Sequence, residues 1–214
     1  MRDLAIIGAG DFGREVALLV HQINKAKPTW NLLGFYDDNL QKGSYVFKLP
    51  VLGRIGDIKN DPKKTNLVIG ISNPRLKKVI IEKLAGQELD FPSLISPACE
   101  LGDADNSIGK GCIITAGCIL TVNVTIGDFV IINLATTIGH DAHIGDFTSV
   151  MPHCSISGGA KIGSECYFGT GSSILQNLSI GDGTTIGAGA VVTKSFPASA
   201  KLIGTPAINK NEVN

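Results

Sequence analysis

The stretch IGDFVIINLATTIGHDAHIGDFTSV, residues 126–150, places an aliphatic residue at every sixth position: Ile126, Ile132, Ile138, Ile144 and Val150. Followed outward in both directions, the same register runs from Ile108 to Val192 without meeting a polar residue. Ile-Gly recurs at 108, 126, 144, 162 and 180, so a period of eighteen lies over the period of six. An α-helix repeats near 3.6 and a strand at 2, and neither accounts for six. Three six-residue segments instead make one triangular coil, with an aliphatic residue pointing inward from each face. Glycine follows many of these residues, which suits the corners, where unusual backbone angles are needed. The residue two places earlier must also point inward and be small. It reads Cys112, Cys118, Val124, Val130, Thr136, Ala142, Thr148, Cys154, Ala160 and Cys166 along the run.

About five such coils stacked at roughly 4.8 Å form a left-handed parallel β-helix. The hexapeptide resembles that of the bacterial hexapeptide acyltransferases. The register also accounts for four of the five cysteines, which take the small inward position. Cys112 and Cys166 share a column about 14 Å apart, and Cys118 and Cys154 lie about 10 Å apart, both beyond the ~7 Å reach of a disulfide. They read as small core residues in a reducing, cytoplasmic compartment.

Composition divides the chain. Residues 1–94 carry 14 basic and 10 acidic side chains, and residues 95–214 carry 5 and 9, so two unlike halves meet near Pro92 and Pro97. The expected domains are 1–92 and 93–214. Over the whole chain 19 basic residues balance 19 acidic ones, which argues against partners held by bulk charge, nucleic acid or an anionic membrane. No uncharged apolar run approaches a membrane span, so no membrane insertion is expected.

The first half reads as α/β. Leu4–Ile7 is a buried strand, Gly8-Ala9-Gly10-Asp11-Phe12-Gly13 a glycine turn, and Arg14–Val20 the start of a helix. Such a turn lets backbone approach a phosphate. A strand over 32–36 ends in Asp37-Asp38, and one over 67–71 ends in Ser72-Asn73 before a helix from Pro74. Some 92 residues are too few for both halves of a dinucleotide fold. Three readings stand: a half-Rossmann unit for one nucleotide, a full dinucleotide site, or a turn used only for packing.

Four histidines are present, and His140, His143 and His153 all fall at outward positions of the prism. A prism has no concave pocket, so a site must form between neighbouring prisms, as in a symmetric trimer. His140-Asp141 then draws notice. An imidazole can take a proton from an acceptor, a carboxylate can fix its tautomer, and a backbone N–H can meet an oxyanion.

The whole chain resembles the bacterial sugar O-acyltransferase family of the sialic-acid O-acetyltransferase type, which includes UDP-4-amino-sugar N-acetyltransferases. The resemblance rests on IIGAGDFGREVA, GFYDDN, PVLG, IGISNP, INLATTIGHDAHIGDF and IGTPA, in that order. It implies a homotrimer with acetyl-CoA between adjacent β-helices, a nucleotide sugar on the N-terminal domain, and no metal. It implies His140 as general base, with Asp141 its partner and Asn133 in the same cleft. Gly158 would donate its backbone N–H to the thioester, while Thr170 and Ala188 line the pantetheine groove. Gly8, Gly10, Asp37, Asp38, Ser72 and Asn73 would surround the nucleotide. Charge alone adds Lys194, Lys201 and Lys210 as candidates for the CoA phosphates. The sequence departs from amino-sugar N-acetyltransferases in Phe12, beside the acceptor, and Ser149, near the reacting centre, where histidine often stands. Two other readings are a non-catalytic nucleotide-sugar-binding trimer and a β-helix carbonic anhydrase-like enzyme. The latter requires three imidazoles converging on Zn²⁺.

Overall fold

A computed structural model describes residues 1–60, 65–102 and 105–212. The N-terminal unit is built on β1 (Arg2–Ile7), α1 (Asp11–Ala26), β2 (Trp30–Tyr36), β3 (Tyr45–Val46), β4 (Leu49–Gly53), β5 (Asn66–Ile69) and α2 (Pro74–Lys83). The sheet order is β3-β4-β2-β1-β5, parallel except for the β3–β4 hairpin. The residues of β1 from Leu4 to Ile7 are fully buried, as an interior strand of a sheet covered on both faces must be. The chain turns from β1 into α1 at Gly8, whose φ of +95° disfavours any other residue.

From Leu94 onward the chain winds into a triangular parallel β-helix. Among the described residues its three sheets hold eight, six and five strands, the eight including one antiparallel strand at the end. Paired residues lie eighteen apart along the central coils, as Thr125 with His143 and His143 with Lys161. The first face follows Ile113, Ile131, Ser149 and Tyr167, the second Ile119, Thr137, Ser155 and Ser173, the third Thr125, His143, Lys161 and Ser179. The inward aliphatic column from Ile114 to Val192 is at most 2% exposed, and the small column from Cys112 to Ala190 is as closed except for half-buried Leu178. Each coil thus buries two rings of side chains that its neighbours complete. The register shortens after Val192: Phe196 occupies the next inward position, only four residues on, and bridges Ile180. The parallel stack ends at Lys201–Ile203, against which Ile208–Asn209 pairs antiparallel.

The two units are not independent. Along the first face the outward residues Leu94, Ile113 and Ile131 are buried against Val16, Val20 and half-buried Phe12 of α1. Phe129 and Phe147, at the corner between the third and first faces, pack with Ile80 and Leu84 from α2 and its end. The N-terminal unit therefore covers one face and one edge. The second face and both of its edges remain open.

Candidate active site

Each edge of the prism is a ladder of turns, one per coil, and its chemistry depends on what fills the turn. His140, Gly158 and Lys194 lie eighteen residues apart or a multiple of it, on the second edge, between the second and third faces. His140 Nδ1 is 2.8 Å from Asp141 Oδ2, and the other Asp141 oxygen accepts from Asn123 Nδ2 at 2.6 Å. These hydrogen bonds, that from His140 first, hold the Asp141 carboxyl below its usual range. A carboxylate only accepts, so in the neutral imidazole the proton sits on Nδ1 and the lone pair on Nε2. Asp141 reaches the imidazole from the adjacent position because the turn holds it at φ +59°.

The imidazole lies against Gly158. A Cβ there would fall 2.5 Å from His140 Nε2, so glycine is what leaves room for the ring. The ring itself stays accessible, with its side chain 67% exposed. Among the described residues, the amides of Gly158, Thr170 and Ala188 donate no hydrogen bond. The equivalent amides of the third edge do: Lys110, Asp128 and Ser164 N–H each donate to Asp128, Asp146 and Asp182, one coil further on. The turns at Gly158, Thr170 and Ala188 thus present unused donors, whereas on the third edge the Lys110, Asp128 and Ser164 amides are taken up.

Thr170 and Ala188 belong to the first edge, one corner away from His140. Asn133 is also on the first edge and is 4% exposed, its Oδ1 accepting from Thr115 Oγ1 and Leu134 N–H. Within one protomer the structure does not bring these three to His140. Lys194 stands on the His140 edge with Nζ 5.3 Å from the Phe196 ring. Lys201 instead projects from the first face, and Lys210 follows the terminal strand. His143 sits on the third face and His153 in a first-edge turn, so the imidazoles point from different parts of the prism. No cluster of three metal-ligating side chains occurs among the described residues. Burial pushes the Cys112 and Cys166 thiols up to about 11 and raises Cys118 and Cys154, which leaves the core without a reactive thiolate.

In the N-terminal unit the glycines divide their work. Gly13 lies so close to Gly8 that a Cβ would meet its carbonyl at 2.0 Å, whereas Gly10 faces open space. Asp37 accepts from Ala9 and Asn39 N–H, which ties the glycine turn to the end of β2. Asp38 accepts from Ile55 N–H at 2.9 Å. Gly8, Asp37 and Asp38 line a cavity of about 730 Å³ with Arg54, Lys59, Lys83 and Gln87. Those last four carried no sequence signal, because separate loops and helix ends deliver them. Ser72 and Asn73 open onto a second groove of about 540 Å³, with Arg75, Tyr167, Thr185 and Lys201. Phe12 is half-buried against the first face, and Ser149, 0% exposed, has no hydrogen-bond partner for its hydroxyl among the described residues.

Comparison with known proteins agrees with this anatomy. Residues 3–84 match the PglD N-terminal domain, and residues 159–194 match the bacterial transferase hexapeptide family. GDP-perosamine N-acetyltransferase of Escherichia coli O157:H7 is 32% identical over 154 residues, 72% of this chain and 69% of that protein. The acetyltransferase domain of PglB from Neisseria gonorrhoeae FA1090, solved with acetyl coenzyme A, is 31% identical with a TM-score of 0.89, covering 97% of this chain and 98% of that one. WeeI from Acinetobacter baumannii AYE is 29% identical with a TM-score of 0.88, over 98% and 100% of the two chains. A half-Rossmann unit resting on one face of a left-handed hexapeptide β-helix, matched over nearly its full length, belongs to the bacterial sugar acyltransferase family.

Proposed function

We propose that the protein transfers the acetyl group of acetyl-CoA to the amine of a nucleotide-linked amino sugar, directly and without an acyl-enzyme. The observation that carries this is the His140–Asp141 pair lying on Gly158, with Nε2 and the Gly158 amide both free. Nε2 takes the proton as the amine nitrogen attacks the thioester carbonyl. The Gly158 N–H receives the developing oxyanion. The carbon–sulfur bond then breaks, and His140 returns its proton to the CoA sulfur. Kinship with an N-acetyltransferase and with a domain that binds acetyl coenzyme A supports both co-substrates.

The complete site needs two protomers. Exposed Ile119 on the second face, Val122 and Leu175 on the second edge and Leu134 on the first form an aliphatic margin around the open part of the prism. A homotrimer would set the second edge of one protomer against the first edge of the next. That unites His140 and Gly158 with Thr170, Ala188 and the Asn133 turn, and runs acetyl-CoA between two ladders of free amides. Lys194, three coils or about 14 Å from His140 along the edge, meets the CoA phosphates. Residues 1–92 hold the nucleotide, with Gly8, Gly10, Asp37 and Asp38 at the larger cavity and Ser72 and Asn73 at the groove. Residues 93–214 carry the transfer.

The test is an acceptor screen of acetyl-CoA with UDP-, GDP- and CMP-linked sugars, amino and hydroxy, read by product mass. A gain of one acetyl group on an amino sugar supports the reading. Acetylation confined to hydroxyls corrects the acceptor, and no turnover with any sugar defeats the proposal.

A further inference from the structure

One buried group takes no part in that chemistry. Lys77, on α2, is 1% exposed. Its Nζ crosses from the N-terminal domain to the third edge of the prism and donates to Phe129 O at 2.7 Å and Thr148 O at 3.3 Å. Those two carbonyls belong to successive coils, so the amine spans a step of the stack. No carboxylate pairs with it among the described residues, and its neighbour Lys78 turns outward to Glu165 at 2.6 Å. Phe91, Phe129 and Phe147 pack beside this contact, the last two stacked at 5.2 Å. From the prism the titratable group facing the amine is Cys112, whose thiol titrates at about 11 and so is neutral. The charged groups on the same helix, Arg75, Lys78, Glu82 and Lys83, all lie at positions less buried than Lys77.

A neutral amine has two N–H donors for two carbonyls. An ammonium brings a third donor and a full charge with nothing to receive either. Lys77 is also one helical turn behind Asn73, whose carbonyl accepts the Lys77 amide at 3.1 Å. Whatever fixes the amine therefore fixes the start of α2, where Ser72 and Asn73 open onto the groove. We propose that Lys77 is a positioning residue for the nucleotide-sugar acceptor, pinning the start of α2 to the prism and releasing it on protonation. The effect on the acceptor rests on the acetyltransferase reading above, while the pinning does not.

Burial lowers the Lys77 pKa from 10.5 to about 7. The unfolded chain holds this proton more tightly than the docked one between those values. Stability from this group therefore rises with pH across that window and is lowest below about 7. Comparing wild type with Lys77→Met, which keeps the length and loses every donor, isolates the effect because other titrations cancel. Lys77→Gln, which keeps uncharged N–H donors, serves as the rescue.

The melting temperature of wild type should climb relative to Lys77→Met between pH 6 and pH 9. Amide exchange over residues 72–77, corrected for intrinsic rates, should slow across the same range in wild type only. With the acceptor found by the screen, Lys77→Met should raise the acceptor KM about tenfold, leave the acetyl-CoA KM unchanged, and be partly restored by Gln. A pH-independent melting difference overturns the proposal, and so do two KM values that move together. If the screen finds no acceptor, the acetyltransferase reading fails while melting and exchange still decide the pinning. If Lys77→Met does not fold, Lys77→Gln against wild type carries the same measurements.

Discussion

The second and third edges of the prism are built from the same turn and behave as opposites. On the third, an aspartate of the following coil caps the amides of Lys110, Asp128 and Ser164, as Asp146 does for Asp128 at 2.8 Å. On the second, the corresponding position holds His140, then Gly158, and among the described residues the Gly158 amide donates no hydrogen bond. Both edges come from one repeat, so fold does not decide which is chemical. A side chain that satisfies the backbone locally makes an inert edge. A glycine leaves the donor for a ligand.

That contrast can be broken by substitution. The largest effect should come from His140→Ala, which removes the proposed base. Turnover should fall by roughly 10²–10⁴-fold while CoA affinity in calorimetry stays within about twofold. Near-full activity would end the role assigned to the second edge. Gly158→Ala comes next: its methyl would occupy the place of Nε2, and swinging the ring aside should cost on the order of 10²-fold in kcat, with the melting temperature nearly unmoved. Asp141→Asn keeps the shape and removes the charge that fixes the tautomer. Roughly tenfold slower turnover is expected, with acetyl-CoA KM unchanged. In the wild type the contact persists above the lowered Asp141 value and is lost as acid protonates the carboxylate.

The control on the other edge is Asp146→Ala. It should uncap the Asp128 amide for about 0.5–1.5 kcal/mol of stability, read by urea titration, and leave kcat intact. If Asp146→Ala slowed turnover as much as Gly158→Ala, the division between edges would be wrong.

Much of this was legible beforehand, for a stated reason. A period of six fixes which residues face inward, and a period of eighteen says which stack, so Gly158 could be set beside His140 from numbers alone. The glycine turn, both helices and three of the four parallel strands of the first half were also readable, whereas β4 (Leu49–Gly53) was not. Asn133 was harder. The resemblance put it in the cleft with His140, but seven residues back is a full face away, and the side chain is buried among Thr115 and Leu134. Lys201 was grouped with Lys194 by charge, yet the shortened final coil returns it to the first face, facing Ser72 and Asn73 across the groove. The cover on the first face had a signal that went unread. Ile113 and Ile131 are apolar at successive outward positions of one face, where the successive coils of the other faces mostly carry Thr, Ser, His or Lys. Lys77 had none, since in sequence it is one of two adjacent lysines on an amphipathic helix.

The short antiparallel strand Ile208–Asn209 has a consequence for the molecule as a particle. A solenoid cut off cleanly exposes a raw strand that invites another copy to continue the winding, and fibres grow that way. Reversing direction for two residues ends that longest sheet in a strand running against the winding, which cannot be continued in register by a second parallel coil.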